Sequence, residues 1–140
     1  MQSPPVITLT VHTHSHSEMV DITSLVAKAL PAGLLNGFAI IYVPHTTAAV
    51  TIQENADPDV QHDLLRKLES LIPRHESYYR HSEGNSDSHV KTSLVGNSAM
   101  VLIERGKLVL GTWQGIYFCE FDGPRERTLL VKLVRLGGED

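Results

Sequence analysis

Apolar and polar positions change period several times along the chain, and each change marks an element. Residues 6–11 alternate, with Ile7, Leu9 and Val11 on one face and Val6, Thr8 and Thr10 on the other, which predicts an opening strand. From Asp21 the period lengthens. Ile22, Leu25, Val26, Ala29 and Leu30 recur at helical spacing behind an aspartate that can cap free amides, and Pro31 with Gly33 ends the run. Residues 37–43 are almost continuously apolar and residues 48–52 are rich in β-branched side chains. Both suit central strands, with His45, Thr46 and Thr47 between them. Asp57 and Pro58 then open a second helix, whose stripe is Val60, Leu64, Leu65, Leu68, Leu71 and Ile72, and Pro73 closes it. Residues 90–95 fit a turn of helix or a strand equally well. Residues 99–103, 108–110, 115–121 and 129–136 read as strands separated by turns at Arg105-Gly106, Gly111-Thr112 and Gly123-Pro124. With no repeat and no linker, the expectation is one α+β domain over residues 1–140: an antiparallel-rich mixed sheet or sandwich with two main helices.

Composition narrows what such a domain does. A chain of 140 residues can bury roughly two thirds of its unfolded surface, so no staple is needed for folding. The lone cysteine, Cys119, cannot form an intrachain disulfide, which points to a reducing, cytoplasmic setting. It sits in the apolar run 117–121, where a thiol reads as inert packing. The first residues show no basic-then-apolar leader, and no apolar run approaches the roughly 18 residues of a membrane span. Twelve Lys plus Arg stand against sixteen Asp plus Glu, a net charge of −4 without a basic block. Nucleic acid is therefore not an expected partner.

The chemistry concentrates in residues 81–89, His-Ser-Glu-Gly-Asn-Ser-Asp-Ser-His. Two imidazoles, two carboxylates, an amide and three hydroxyls in nine residues offer most oxygen and nitrogen ligands a metal uses, and a packed core has no use for them. Three further polar clusters fall at predicted element ends. They are His45-Thr46-Thr47; Glu54-Asn55-Ala56-Asp57; and Gly111-Thr112-Trp113-Gln114-Gly115 followed by Gly123-Pro124-Arg125-Glu126-Arg127. Asp57 is accounted for as a helix cap, whereas Glu54, at a strand end, suits a general base or a carboxylate that orients a ligand. His12, His14 and His16 alternate on one strand face, which reads as exposed histidines at a strand end.

In this order and spacing the clusters resemble the YjbQ-like family, small proteins sometimes labelled secondary thiamine-phosphate synthases, over about residues 18–133. The resemblance implies a compact α+β fold, a homotrimer, a combined metal and anion site, and a reaction joining a pyrimidine pyrophosphate to a thiazole phosphate. Carried over residue by residue, it assigns the metal to His45, His81, Asp87 and His89. In an extended segment Asp87 and His89 would leave the same face, and His45 would converge from a neighbouring strand end. Three such ligands and water leave an open position. Zinc suits the imidazoles and magnesium the carboxylate, and the residue types do not choose between them.

Phosphate recognition would fall to Arg125 and Arg127 and to the exposed amides of the turn from Gly111 through Thr112 and Gln114, with Trp113 stacking on a heterocycle or packing at a subunit contact. By local sequence alone, the two arginines also fit a surface hairpin turn after Gly123-Pro124. Lys91, Thr92 and Ser93 would add polar contacts. The leading expectation is a metal-dependent enzyme acting on a small phosphorylated heterocycle, with Glu54, Asp87 and His89 catalytic. Metal-assisted phosphate-ester hydrolysis and a non-catalytic trimeric metabolite-binding protein are the alternatives.

Overall fold

A computed structural model describes residues 4–137, so the reading of the first three residues as lacking a leader lies outside the described residues. In chain order the elements are β1 (Ile7–His12), β2 (Glu18–Asp21), α1 (Thr23–Lys28), β3 (Gly37–Tyr42), β4 (Ala48–Glu54), α2 (Pro58–Leu71), α3 (Ser86–Val95), β5 (Ser98–Glu104), β6 (Lys107–Leu108), β7 (Gln114–Glu120) and β8 (Glu126–Arg135). A five-stranded sheet has the order β1-β8-β3-β5-β6 and a three-stranded sheet the order β2-β7-β4, with antiparallel pairing throughout. The expected α+β sandwich is therefore present, and among the described residues no strands pair in parallel.

Three layers follow from the side-chain alternation of these strands. Leu129, Val131 and Leu133 of β8 and Ala39 and Ile41 of β3 meet Val50, Ile116 and Phe118 of the smaller sheet, with Ile22, Val26 and Leu34 closing the core. The opposite face of the smaller sheet carries Ala49, Cys119 and Phe121 against Leu65 and Leu68 of α2 and Val95 of α3. Strand β7 is thus covered on both faces, which is why its sequence lacks polar alternation. The outer face of the larger sheet stays open, with Met100, Leu102 and Tyr42 exposed.

Two helical expectations change. The first helix spans only Thr23–Lys28 because the residues before it form β2, although the Asp21 carboxylate still accepts from the Thr23 amide at 2.9 Å. The ambiguous stretch 90–95 belongs to α3, which begins at Ser86 inside the polar nonapeptide. Helix α2 is capped as expected, with the Asp57 carboxylate accepting from the Asp59 amide at 2.9 Å and Pro58 in the first turn.

Gly37 shows why one position in the larger sheet admits no side chain: a Cβ there would lie 1.9 Å from the Val134 carbonyl oxygen of the neighbouring strand. Gly37→Ala is expected to cost about 2 kcal/mol or more, since backbone must shift to relieve the contact. Urea unfolding checks it, and a midpoint within error of the parent would overturn it.

Candidate functional site

The two sheets are fastened by a buried ion pair. Arg127 of β8 and Glu120 of β7 are 3 % and 0 % exposed. The guanidinium grips the carboxylate with two nitrogens, Nε at 2.8 Å and Nη2 in a second, shorter contact. Glu120 also accepts from the Thr13 hydroxyl at 2.8 Å and the Asp122 amide at 3.0 Å, while Arg127 donates to Thr47 Oγ1 at 2.9 Å. Burial pushes the Glu120 carboxyl up, but the hydrogen bonds from Arg127, the Asp122 amide and Thr13 outweigh it and hold it below its ordinary 4.5. Gly123 is required beside this pair, because a Cβ there would lie 2.7 Å from Glu120 Cγ and 2.5 Å from the Ser15 carbonyl oxygen.

Arg127 of this joint also lines a polar cleft of about 470 Å³. Its walls are His45, Thr46 and Thr47 from the β3–β4 loop, His81, Glu83, Asn85 and His89 from the segment entering α3, and Asp122 and Arg125 from the turn before β8. His81 and His89 meet edge to face with ring centroids 5.3 Å apart. The Asp122 carboxylate accepts from Asn85 Nδ2 at 2.8 Å and from Arg125 at 3.1 Å, and Arg125 Nε donates to the Asp122 carbonyl oxygen at 3.0 Å. Arg125 keeps half its side chain in solvent. Arg127 does not, so of the two cleft arginines it is Arg125 whose charge faces an incoming anion.

His45 is held in one state. The Thr128 amide donates to its Nε2 at 2.9 Å, which occupies that lone pair and leaves Nδ1 as the protonated nitrogen of a neutral ring. Burial pushes the imidazole below its ordinary 6.5 and the Arg127 charge adds to the effect, against an opposing pull from Glu120. Asn97, donating to the carbonyl oxygens of His45 at 2.9 Å and Val43 at 3.2 Å, fixes the loop that carries it.

The four-ligand metal set is not assembled, and the reason is helical geometry. Asp87 and His89 lie in α3, where a two-residue step turns the side chain by about 200° instead of returning it to the same face. His89 reaches the cleft. Asp87 turns inward, 1 % exposed, and pairs with Lys91 one turn on at 3.1 Å; Lys91 also binds Glu69 of α2 at 2.7 Å. His45 would have to give up its Thr128 bond to ligate through Nε2. No group of three or more metal-binding side chains forms among the described residues. The residues therefore do not fit the expected His45, His81, Asp87 and His89 centre; the adjacent His81 and His89 are what remains of it.

The other predicted residues also separate. Strands β4 and β7 pair from Ala48 opposite Glu120 to Glu54 opposite Gln114, so Glu54, Gly111, Thr112, Trp113 and Gln114 lie about 20 Å along the strands from the cleft. The Gly111 amide is taken by Gln114 Oε1 at 2.8 Å and Trp113 is 63 % exposed. Ser93 bonds the His89 carbonyl oxygen within α3 and does not line the cleft. His14 contacts Glu18, and the alternating histidines hold no metal cluster among the described residues. Cys119 is buried and its thiol is pushed up to about 12 by burial.

Glu120, Asp122 and Thr13 went unrecognised as site residues, yet Glu120 carried a readable signal, as did the structural role of Arg127. Arg127 shares the parity of Leu129, Val131 and Leu133, and Glu120 that of Ile116 and Phe118, so both charges fall on inward-facing positions. Opposite charges on two inward faces imply a buried pair.

The chain matches the family described as UPF0047 protein YjbQ-like over residues 7–136 and belongs to it. It is 52% identical over 128 residues to UPF0047 protein YugU of Bacillus subtilis, covering 91% of this chain and 97% of that one. It is 51% identical over 125 residues to UPF0047 protein MJ1081 of Methanocaldococcus jannaschii, covering 89% and 90%. Among solved structures it is similar to an uncharacterised yjbq/upf0047 protein of Clostridium acetobutylicum, with a TM-score of 0.88, 50% identity and coverage of 91% and 99%. A YbjQ-like protein of unknown function from Sulfolobus solfataricus gives the same TM-score at 32% identity.

Two consequences are testable. Arg127→Met leaves Glu120 buried without its partner and should cost about 3–5 kcal/mol, most of it recovered in Arg127→Met/Glu120→Leu; a single variant as stable as the parent in urea refutes the joint. The pH dependence has a sign. The folded state holds His45 neutral, so stability is full above about 6.5 and declines below it as the unfolded chain takes up the proton first. Glu120 contributes stability that is present above 4.5 and lost as pH falls through its lower folded value. His45→Gln should remove the first decline and leave the second in a series of denaturation midpoints.

Proposed function

We propose that the protein is an enzyme acting on a small phosphorylated heterocycle, with the thiamine-phosphate synthase reaction as the leading case. What supports an anionic substrate is the gathering of His45, His81, His89 and the half-exposed Arg125 on one cleft. The heterocycle comes from the family resemblance. Among the described residues no helix is long and apolar enough to cross a membrane. Assembly as a homotrimer, covering the apolar outer face around Tyr42, Met100 and Leu102, belongs to the same proposal, as does a cytoplasmic setting for the lone thiol.

The chain's own donors hold the phosphate. Arg125 exchanges its contact with Asp122 for a phosphate oxygen, and Asn85 keeps the released carboxylate in place. Neutral His45 donates from Nδ1. In the synthase reaction the thiazole nitrogen bonds to the pyrimidine methylene carbon while the bond from that carbon to the pyrophosphate oxygen breaks, and the electron pair leaves on the oxygen. Arg125 and His45 stabilise the charge that grows there. His81 and His89 supply a donor and an acceptor beside the leaving group. No step is routed through a metal.

The reading is tested with purified protein given both heterocycles, or one alone. Synthase activity needs both and releases pyrophosphate, whereas hydrolysis releases phosphate from one. Arg125→Ala is expected to weaken inorganic pyrophosphate binding about 10-fold or more, and Asp122→Asn to tighten it by removing the competing carboxylate. His89→Ala should lower turnover more than binding. Calorimetry after chelation should give unchanged pyrophosphate binding. Full activity and binding in both Arg125→Ala and His89→Ala would remove the assignment.

A further inference from the structure

A second cavity lies away from the cleft, between the smaller sheet and the helices that cover it. Its floor is Met19, Cys119 and Phe121, its roof is Leu65 and Leu68 of α2 and Val95 of α3, and its volume is about 190 Å³. The pocket is half open, with the exposed Leu94 at its edge, and lies beneath the fourteen-residue α2.

The apolar stripe of α2 points at the sheet as the sequence requires, yet none of its residues is fully buried. Leu64, Leu65 and Leu68 stay half-buried along the pocket. A polar contact ties α2 to α3. Lys91 of α3, 2 % exposed, reaches Glu69 of α2 at 2.7 Å and Asp87 at 3.1 Å, and Glu69 follows the cavity residue Leu68 in sequence.

The lining decides what the space accepts. The floor and roof residues are apolar, and Cys119 behaves as a small hydrophobe, its thiol pushed far from ionisation by burial. Apolar cavities of roughly 150 Å³ stay dry and take up benzene-sized molecules. Thr51 and Gln53 line one part of the wall, which permits one polar substituent, and Leu94, 64 % exposed, stands at the edge. A long acyl chain exceeds the volume, and the cavity carries no cation to hold an anionic group.

We infer that this cavity is a binding site for a small apolar ring or branched aliphatic group carrying at most one neutral hydrogen-bonding substituent. It is separate from the anion cleft and does not rest on the reading of that cleft.

Toluene is the probe, added to the full chain at pH 7.5. Saturable binding should raise the midpoint of thermal unfolding by about 4 °C or more at a tenfold excess over the dissociation constant. Amide resonances of α2 and α3 should shift along one curve, and Cys119 should react more slowly with a neutral thiol reagent. Leu68→Phe, which fills the space, should fold and lose at least nine tenths of the toluene response; Val95→Phe serves in its place if that variant does not fold. No saturable response up to the solubility of toluene, or an equal response in the filled variants, overturns the inference. Sedimentation alongside tests whether a second copy covers the mouth, in which case toluene would not bind and the inference fails.

Discussion

The buried pair between Arg127 and Glu120 is the constraint on which the rest of the site depends. Two antiparallel sheets packed face to face diverge at their ends because each twists. A guanidinium from β8 and a carboxylate from β7 close that divergence at one end. The pair alone would not be stable there, since desolvating two charges costs several kcal/mol per ion in a low-dielectric interior. Thr13, Thr47 and the Asp122 amide supply the remaining hydrogen bonds, and each comes from a different connection. Satisfying the pair thereby gathers the β1–β2, β3–β4 and β7–β8 connections around one point.

That gathering divides the electrostatic roles in the cleft. The Arg127 charge is spent on Glu120, so it contributes fixed geometry and a field, not a free binding group. Its field and the burial around it keep His45 neutral, and the Thr128 amide fixes which nitrogen carries the proton. Arg125, two residues earlier and turned outward, is left with a contact that an anion can replace. Arg125 escapes the alternation of β8 because it lies in the turn before Glu126, and that separates a binding arginine from a structural one.

Much of the scaffold was legible in the sequence because strand alternation and a capped helix are local patterns. The stripe from Val60 to Leu71 and the doubly apolar β7 correspond to observed elements. The site was legible only as a set of residue types. Treating residues 87–89 as extended made Asp87 and His89 co-ligands, while the helix sends one inward to Lys91 and the other to the cleft. The Glu54 and Gly111-to-Gln114 clusters looked like parts of one site because sequence order carries no register; once β4 pairs with β7, they fall at the far end of the smaller sheet. The inward charges at 120 and 127 were available to parity and were missed because Arg127 was read as a phosphate-binding residue, with a surface turn as the alternative.

Helix α3 makes the cleft and the apolar cavity parts of one mechanical unit. Its first turn places Asn85 against Asp122 and the Ser88 hydroxyl on the Phe121 carbonyl oxygen at 2.6 Å. His89 follows on the cleft side, and Val95, at its last turn, closes the roof over Cys119. Lys91, between them, ties the same helix to α2. An α-helix of ten residues moves as a rigid rod on the scale of these contacts, so the positions of His89 and Val95 are not independent. The contact of Lys91 with Glu69 therefore links the placement of α2 to the helix that carries His89 into the cleft, so loosening the helical layer also loosens one wall of the site.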